Sequence, residues 1–138
     1  MPPLRERTRM TAPSTATVVD VRLILAALWT ALMLVYLLGD VMRIFAGDFE
    51  AGQMQGQVVG QGIWLAAAGL MLVPISMIVL SLMLPYPAIR WVSLVASAFL
   101  VVFNLVGLPY PGLYDNVLIV VSFAVNGLII WQAWRWTG

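Results

Sequence analysis

The sequence predicts an all-α polytopic membrane protein, an antiparallel bundle of four transmembrane helices. Two features of composition support this fold: 62% of the 138 residues are hydrophobic and only 9% are charged. A soluble domain carries about a quarter charged residues, so this chain has too few to cover a surface facing water. The apolar residues also fall in long runs, which is typical of proteins embedded in a bilayer. We therefore expect the lipid bilayer to be its principal partner.

The residue types that are missing exclude several kinds of chemistry. The chain has no cysteine and no histidine, and its formal net charge is +1. Thiolate nucleophiles, iron–sulfur sites, bis-histidine haem sites and the usual zinc sites are therefore excluded. The small net charge does not favour a nucleic-acid partner. We expect no catalytic residues, no cofactor and no metal site, and hence no enzymatic activity.

Four predicted spans follow a short tail. Residues 1–17 are polar and contain proline, so they are predicted to be a disordered cytoplasmic tail, and residues 18–138 form the transmembrane domain. An uncleaved first span is favoured over a secretory signal because no small-residue cleavage pattern follows it. About 20 helical residues cross the hydrocarbon core. The predicted spans are 21–39, 58–84, 88–107 and 113–134.

A repeated tetrapeptide, Leu-Pro-Tyr-Pro, separates the last three spans. It occurs at 84–87 and again at 108–111. Proline fits poorly inside a helix but is tolerated in turns and at the first helical position. Each copy therefore predicts a tight break between helices, with the two breaks at opposite membrane faces.

The arginines predict the orientation. All seven basic residues are arginines, and only Arg43 falls on the face that also carries most of the acids. The positive-inside rule then places both termini in the cytoplasm. The residues assigned to the inner face are Arg5, Arg7, Arg9, Arg22, Arg90 and Arg135. The inner aromatic belt is predicted to contain Trp91, Trp131, Trp134 and Trp136, and the outer belt Tyr110 and Tyr114.

Two local features leave alternatives open. In the outer loop, AGQMQGQVVGQG spaces both its glycines and its glutamines by four residues. A flexible polar loop is favoured over a helix with adjacent stripes because glycine weakens helices. Pro74 lies inside the second span and is predicted to act as a hinge that bends it near Gly69 and Leu70. Such a bend serves either packing or the opening of a cavity.

Polar residues on spans three and four are the candidates for a polar cavity. Ser97 and Asn104 fall near one face of the third span, and Ser122 and Asn126 lie one turn apart on the fourth. Buried amides and hydroxyls in lipid need partners, so these faces are predicted to point toward other helices. Helix packing is the favoured interpretation, and a substrate pocket is the alternative.

Asp40 and Arg43 complete the set of candidate residues. They are three residues apart at the outer end of span one, within reach of an interfacial ion pair. The sharper hypothesis is an outer vestibule lined by Asp40, Arg43 and Asn104, in which Asp40 binds a cation or a proton.

The order of several short motifs resembles that of a family of small bacterial four-span membrane proteins of unknown function. The resemblance covers about residues 20–136 and implies the same topology, with no activity attached. The motifs are Asp20-Val21-Arg22, Leu28-Trp29, Gly39-Asp40, Pro74, Leu80-Ser81, Arg90-Trp91 and the terminal stretch from Trp131 to Trp136.

Two function classes follow from the sequence. The first is a structural or accessory membrane protein that associates with a second copy of itself or with another membrane protein. The alternative is a small transporter or channel with a cavity near Pro74, Asn104 and Asn126.

Overall fold

A computed structural model of the chain describes residues 19–48, 50–54 and 56–137. The predicted tail, residues 1–17, lies outside them. The prediction of a helical chain with four long apolar helices is confirmed, because each helix is long and apolar enough to cross a membrane. The elements are α1 (Val21–Ala46), β1 (Gln53–Met54), β2 (Gln57–Val58), α2 (Gln61–Met83), α3 (Ala88–Gly107) and α4 (Leu113–Arg135).

The first helix extends further than the sequence predicted. Asp20 caps its start, where the carboxylate accepts a hydrogen bond from the backbone N–H of Arg22 at 2.9 Å. It ends at Ala46, where Gly47 adopts a left-handed conformation with φ of 76° and donates its N–H to the last turn. The helix thus continues seven residues beyond Gly39, the predicted end of the membrane span.

Gly39 lies inside α1 and faces α4. It is buried, and a Cβ atom at this position would lie 3.7 Å from Leu118 and 3.8 Å from a carboxylate oxygen of Asp115. These are ordinary van der Waals distances, so the packing places Gly39 against α4 without requiring glycine there.

A short β-hairpin precedes α2. Gln53 pairs with Val58 and Met54 with Gln57 in antiparallel register, and Gly52 and Gly56 have positive φ angles of 80° and 76°. The segment is therefore not helical, although the two strands were not predicted. Val58, the approximate predicted start of span two, belongs to β2, and α2 begins three residues later at Gln61.

Both copies of the repeated tetrapeptide lie between helices, as predicted. The first occupies the whole connection from Met83 to Ala88, and the second begins the connection from Gly107 to Leu113. The third helix has the predicted bounds, and the fourth ends at Arg135, one residue beyond the predicted 134. Pro74 lies within α2 and is buried. Its role as a hinge stays a prediction.

The four helices form a bundle in which α1 packs against α2 and α4, and α3 packs mainly against α4. The contact between α2 and α3 is the smallest of the four. Large apolar side chains fill the interior, with Trp29 and Leu32 of α1 at its centre. The other members of this core are Leu25, Met77, Ile89, Leu100, Ile129 and Ala133.

Substitution of a core leucine should destabilise the bundle far more than substitution of an outward-facing one. We expect Leu32→Ala, at a site with no exposed surface, to lower the free energy of unfolding by about 2–5 kcal/mol, because it leaves a cavity. The matched control, Leu34→Ala, alters a side chain that is 58% exposed and should change that free energy by no more than about 0.5 kcal/mol. Reversible denaturation in detergent micelles measures both. Equal losses would contradict the placement of Leu32 in the core.

Candidate functional site

Two clusters of polar residues lie within the bundle. The end cluster comprises Asp40, Arg43, Tyr110 and Asp115 and lies where α1 ends and α4 begins. The core cluster comprises Tyr36, Ser97, Asn104, Ser122 and Asn126 and lies deeper among the helices. Together they contain all six residues that the sequence predicted to line a polar cavity.

Arg43 and Asp115 form the central contact of the end cluster. The Nε atom of Arg43 lies 3.0 Å from Oδ2 and 3.2 Å from Oδ1 of Asp115, so one N–H is shared by both carboxylate oxygens. The Asp115 side chain is only 7% exposed, whereas that of Arg43 is 35% exposed. Asp115 therefore depends on this arginine to compensate its charge in a largely dehydrated place.

The helix ends favour the same pair. Arg43 lies in the last turn of α1 and Asp115 in the first turn of α4. The C-terminal end of a helix carries partial negative charge and the N-terminal end partial positive charge. Each side chain is thus stabilised by its own helix as well as by its partner.

Asp40 and Tyr110 contact other sides of the same guanidinium group. An Nη atom of Arg43 lies 3.5 Å from a carboxylate oxygen of Asp40, which confirms the predicted pair between these neighbours. The guanidinium carbon of Arg43 also lies 5.0 Å from the centre of the Tyr110 ring, in cation–π contact. Asp40 is 49% exposed, so solvent screens it far more than Asp115.

The loop between α3 and α4 holds Tyr110 in place through Asn116. The Asn116 side chain accepts a hydrogen bond from the Tyr110 backbone N–H at 3.1 Å and donates one to the Tyr110 carbonyl at 2.8 Å. It also donates to the Gly112 carbonyl at 2.9 Å. Nearby, the Tyr114 hydroxyl donates to the Asp48 carboxylate and so links α4 to the segment after α1.

The core cluster consists of hydrogen bonds between and along helices. The Ser97 hydroxyl of α3 donates to the Asn126 side-chain oxygen of α4 at 2.7 Å, and the Asn126 amide donates to the Ser122 carbonyl at 2.9 Å. The Ser122 hydroxyl donates in turn to the carbonyl of Ile119 at 2.7 Å. Ser97, Ser122 and Asn126 have no exposed surface.

Asn104 occupies a different place from the one predicted. Its side-chain amide donates to the Tyr36 hydroxyl at 2.7 Å, which joins α3 to α1. Tyr36 lies one turn before Asp40 on α1, and the side chains of Asn126 and Ser122 lie near its hydroxyl. Asn104 therefore belongs to the core cluster, and no contact of Asn104 with Asp40 or Arg43 occurs among the described hydrogen bonds and ion pairs.

Two important residues were missed as site residues at the sequence level. Asp115 was assigned only to the outer face, although an acid three residues into an apolar helix was a usable signal. Tyr36 was treated as part of an apolar run, and nothing local to it indicates a partner on α3. Two further buried polar atoms, Trp29 Nε1 and Ser93 Oγ, have no hydrogen-bond partner among the described residues.

The chemistry available to the two clusters is limited. The core cluster offers hydroxyl and amide groups, which can donate and accept hydrogen bonds. The end cluster sets two carboxylates around one guanidinium group and carries a formal charge of −1. Among the described residues, no group of three or more acidic side chains is placed to hold a metal ion.

Comparison with known proteins finds no match. No protein-family model, no curated protein and no solved structure matches the chain significantly. The resemblance to small bacterial four-span proteins stays a prediction.

The two acids of the end cluster should differ sharply in their effect on stability. We expect Asp115→Asn to lower the free energy of unfolding by about 2–3 kcal/mol, below the ~3–5 kcal/mol of a fully buried pair because Arg43 is partly exposed. Asp40→Asn, the matched control, should lower it by no more than about 1 kcal/mol. Denaturation in micelles measures both variants.

A double-mutant cycle tests the same pair directly. Arg43→Gln combined with Asp115→Asn should cost less than the sum of the two single changes, because neither partner is then left uncompensated. Additive costs, or an equal cost for Asp40→Asn, would contradict the assignment of Asp115 as the principal partner of Arg43.

Proposed function

We propose that this chain is an integral protein of a bacterial inner membrane that has a structural or accessory role and no enzymatic activity. It crosses the bilayer four times as an antiparallel bundle, with both termini in the cytoplasm. One observation carries the proposal: the polar side chains of the helices are concentrated in the interior, and large apolar side chains face outward.

This distribution is the reverse of that in a soluble protein. Five polar residues, Ser81, Ser93, Ser97, Ser122 and Asn126, have no exposed surface. On the outside of α3 and α4, by contrast, Val95 is 67% exposed and Val120 is 65% exposed. Apolar surface of this kind on every helix is unfavourable in water but suits a hydrocarbon environment. The inward polar groups match the hydrogen bonds that associate helices in lipid.

The contacts between helix ends support the antiparallel arrangement. At one end of the bundle, the end of α1 meets the start of α4 through Arg43 and Asp115. At the other, the Tyr86 and Trp136 rings lie 5.4 Å apart, so the start of α3 meets the end of α4. The described arginines other than Arg43 belong to this second end, which the positive-inside rule assigns to the cytoplasm. The resemblance of the motifs to bacterial four-span proteins supports the choice of membrane.

The accessory role is supported by the way the buried polar groups are used. The core cluster joins α3 to α4 through Ser97 and Asn126 and joins α1 to α3 through Tyr36 and Asn104. Side chains that bond one another in this way hold helices together and are not directed at a ligand. Two surface concavities lie elsewhere, one beside Arg135 and one on the outward face of α3 near Val95.

A second candidate function, transport of a cation or proton, is favoured by one observation. Asp115 is 5% exposed in a bundle whose outer surface is apolar. A buried acid within an apolar helix commonly marks a transport pathway. In this alternative the end cluster is the entrance, and the core cluster lies on the route inward.

Fusion reporters test the topology. A reporter active only in the cytoplasm should be active after Gly138, and one active only in the periplasm should be active when inserted at Gly56 in the hairpin. The reason is the clustering of arginine at the end of the bundle opposite to the hairpin. Periplasmic activity after Gly138 would refute the orientation, and recovery of the full chain in the soluble fraction would refute membrane insertion.

Flux measurements in liposomes separate the two functions. For the accessory role we expect wild-type liposomes to show no more sodium, potassium or proton flux than empty ones. If flux is present, Asp40→Asn should abolish it while the protein still inserts, because that change removes the accessible charge of the end cluster. Flux that depends on Asp40 would replace the accessory role with transport.

A further inference from the structure

The end of the bundle opposite to the end cluster contains a cleft between the start of α1 and the end of α4. Its volume is about 340 Å³. The residues that line it are Val21, Trp131, Gln132, Arg135, Trp136 and Thr137. The cleft thus combines one positive charge, an amide and a hydroxyl with two indole rings.

The arginines at this end contact aromatic rings and not acids. The guanidinium carbon of Arg135 lies 4.8 Å from the Trp131 ring centre. That of Arg90 lies 5.4 Å from the Trp134 ring and 5.7 Å from the Trp91 ring. In the described part of the chain, the only arginine in an ion pair is Arg43, at the other end.

The guanidinium groups of Arg135 and Arg90 have N–H donors that no described acid pairs with. Arg135 is exposed, and the Nε atom of Arg90 is buried with no hydrogen-bond partner among the described residues. Asp20 is the described acid next to Val21 in the sequence. Its carboxylate caps α1 by accepting a hydrogen bond from the backbone N–H of Arg22. The described charge at this end is therefore positive. Arg90 does not line the cleft, so the exposed guanidinium group of Arg135 is the charged donor that a negatively charged ligand in the cleft would contact.

We propose that this cleft binds the phosphate group of one anionic phospholipid in the cytoplasmic leaflet. Arg135 and Gln132 donate hydrogen bonds to the phosphate oxygens, and the rings of Trp131 and Trp136 flank the glycerol region. This inference rests on the proposed membrane insertion and orientation.

A phospholipid fits the cleft better than a free phosphate ion. Outward-facing apolar side chains continue along α4 on the same face as Arg135, at spacings of seven residues, with Leu128 50% exposed and Val121 42% exposed. These surfaces suit acyl chains, and tryptophan favours the headgroup level of a bilayer. An anionic lipid is favoured over a zwitterionic one because Arg135 places a positive charge in the lining of the cleft, at the level of the headgroups.

Native mass spectrometry of the full chain in detergent tests the site. Phosphatidylglycerol and phosphatidylcholine of identical acyl chains are titrated separately, and bound lipids per chain are counted. We expect the wild type to bind one phosphatidylglycerol with a dissociation constant at least about fivefold lower than that for phosphatidylcholine. Arg135→Gln should abolish this preference, and Arg135→Lys, which keeps the charge, should retain part of it.

Arg22→Gln is the matched control. It removes the same charge at the same end, one residue from Val21, but Arg22 does not line the cleft. We expect this variant to keep the preference. Equal losses in Arg22→Gln and Arg135→Gln would replace the site with general surface attraction, and equal binding of the two lipids by the wild type would overturn the proposal outright.

Two further experiments, a competition and a membrane fractionation, distinguish lipid binding from binding of free phosphate and from a failure of membrane insertion. In the first, soluble glycerol phosphate is added at the concentration at which phosphatidylglycerol saturates the site. Displacement of the lipid would show that the phosphate alone is recognised and would overturn the choice of a phospholipid. Membrane fractionation of Arg135→Gln should show normal insertion. A variant that inserts but lacks the lipid preference supports the site, whereas loss of insertion in the wild type would instead remove the proposed function.

Discussion

The fold depends on hydrogen bonds and ion pairs that polar side chains buried inside an apolar bundle form with partners within the protein. Three of these contacts each join a different pair of helices. Arg43 and Asp115 join α1 to α4, Tyr36 and Asn104 join α1 to α3, and Ser97 and Asn126 join α3 to α4. A polar group left alone in such surroundings is costly, so the three contacts together fix the relative positions of α1, α3 and α4.

The second helix is held differently. Its buried hydroxyl, Ser81, donates to the Met77 carbonyl of the same helix at 2.6 Å, and no side-chain hydrogen bond from α2 to another helix occurs among the described residues. Its packing is mainly against α1, with less contact to α3. Shape and apolar contact therefore position α2, and the proline at position 74 lies in the helix that polar bonds constrain least.

The parts that could be predicted from sequence are those governed by local periodicity. Long apolar runs and prolines located the four helices, and spacings of four and seven residues placed Ser97, Asn104, Ser122 and Asn126 on inward faces. Contacts between residues that are distant in the sequence could not be predicted. Arg43 and Asp115 are 72 positions apart, Tyr36 and Asn104 are 68 apart, and Ser97 and Asn126 are 29 apart, so no local pattern pairs them.

The length of α1 has a consequence for where the end cluster lies. At about 1.5 Å per residue, its 26 residues span about 39 Å, whereas the 20 residues of α3 span about 30 Å, the thickness of the hydrocarbon core. If α1 were tilted until its whole length fitted within the hydrocarbon core, the tilt would be about 40°, the upper limit for membrane helices. By contrast, α3 matches the core without tilt. In the proposed orientation the last turns of α1 therefore extend beyond the hydrocarbon core on the outer side. The hairpin that follows then lies in the aqueous phase, away from the membrane surface.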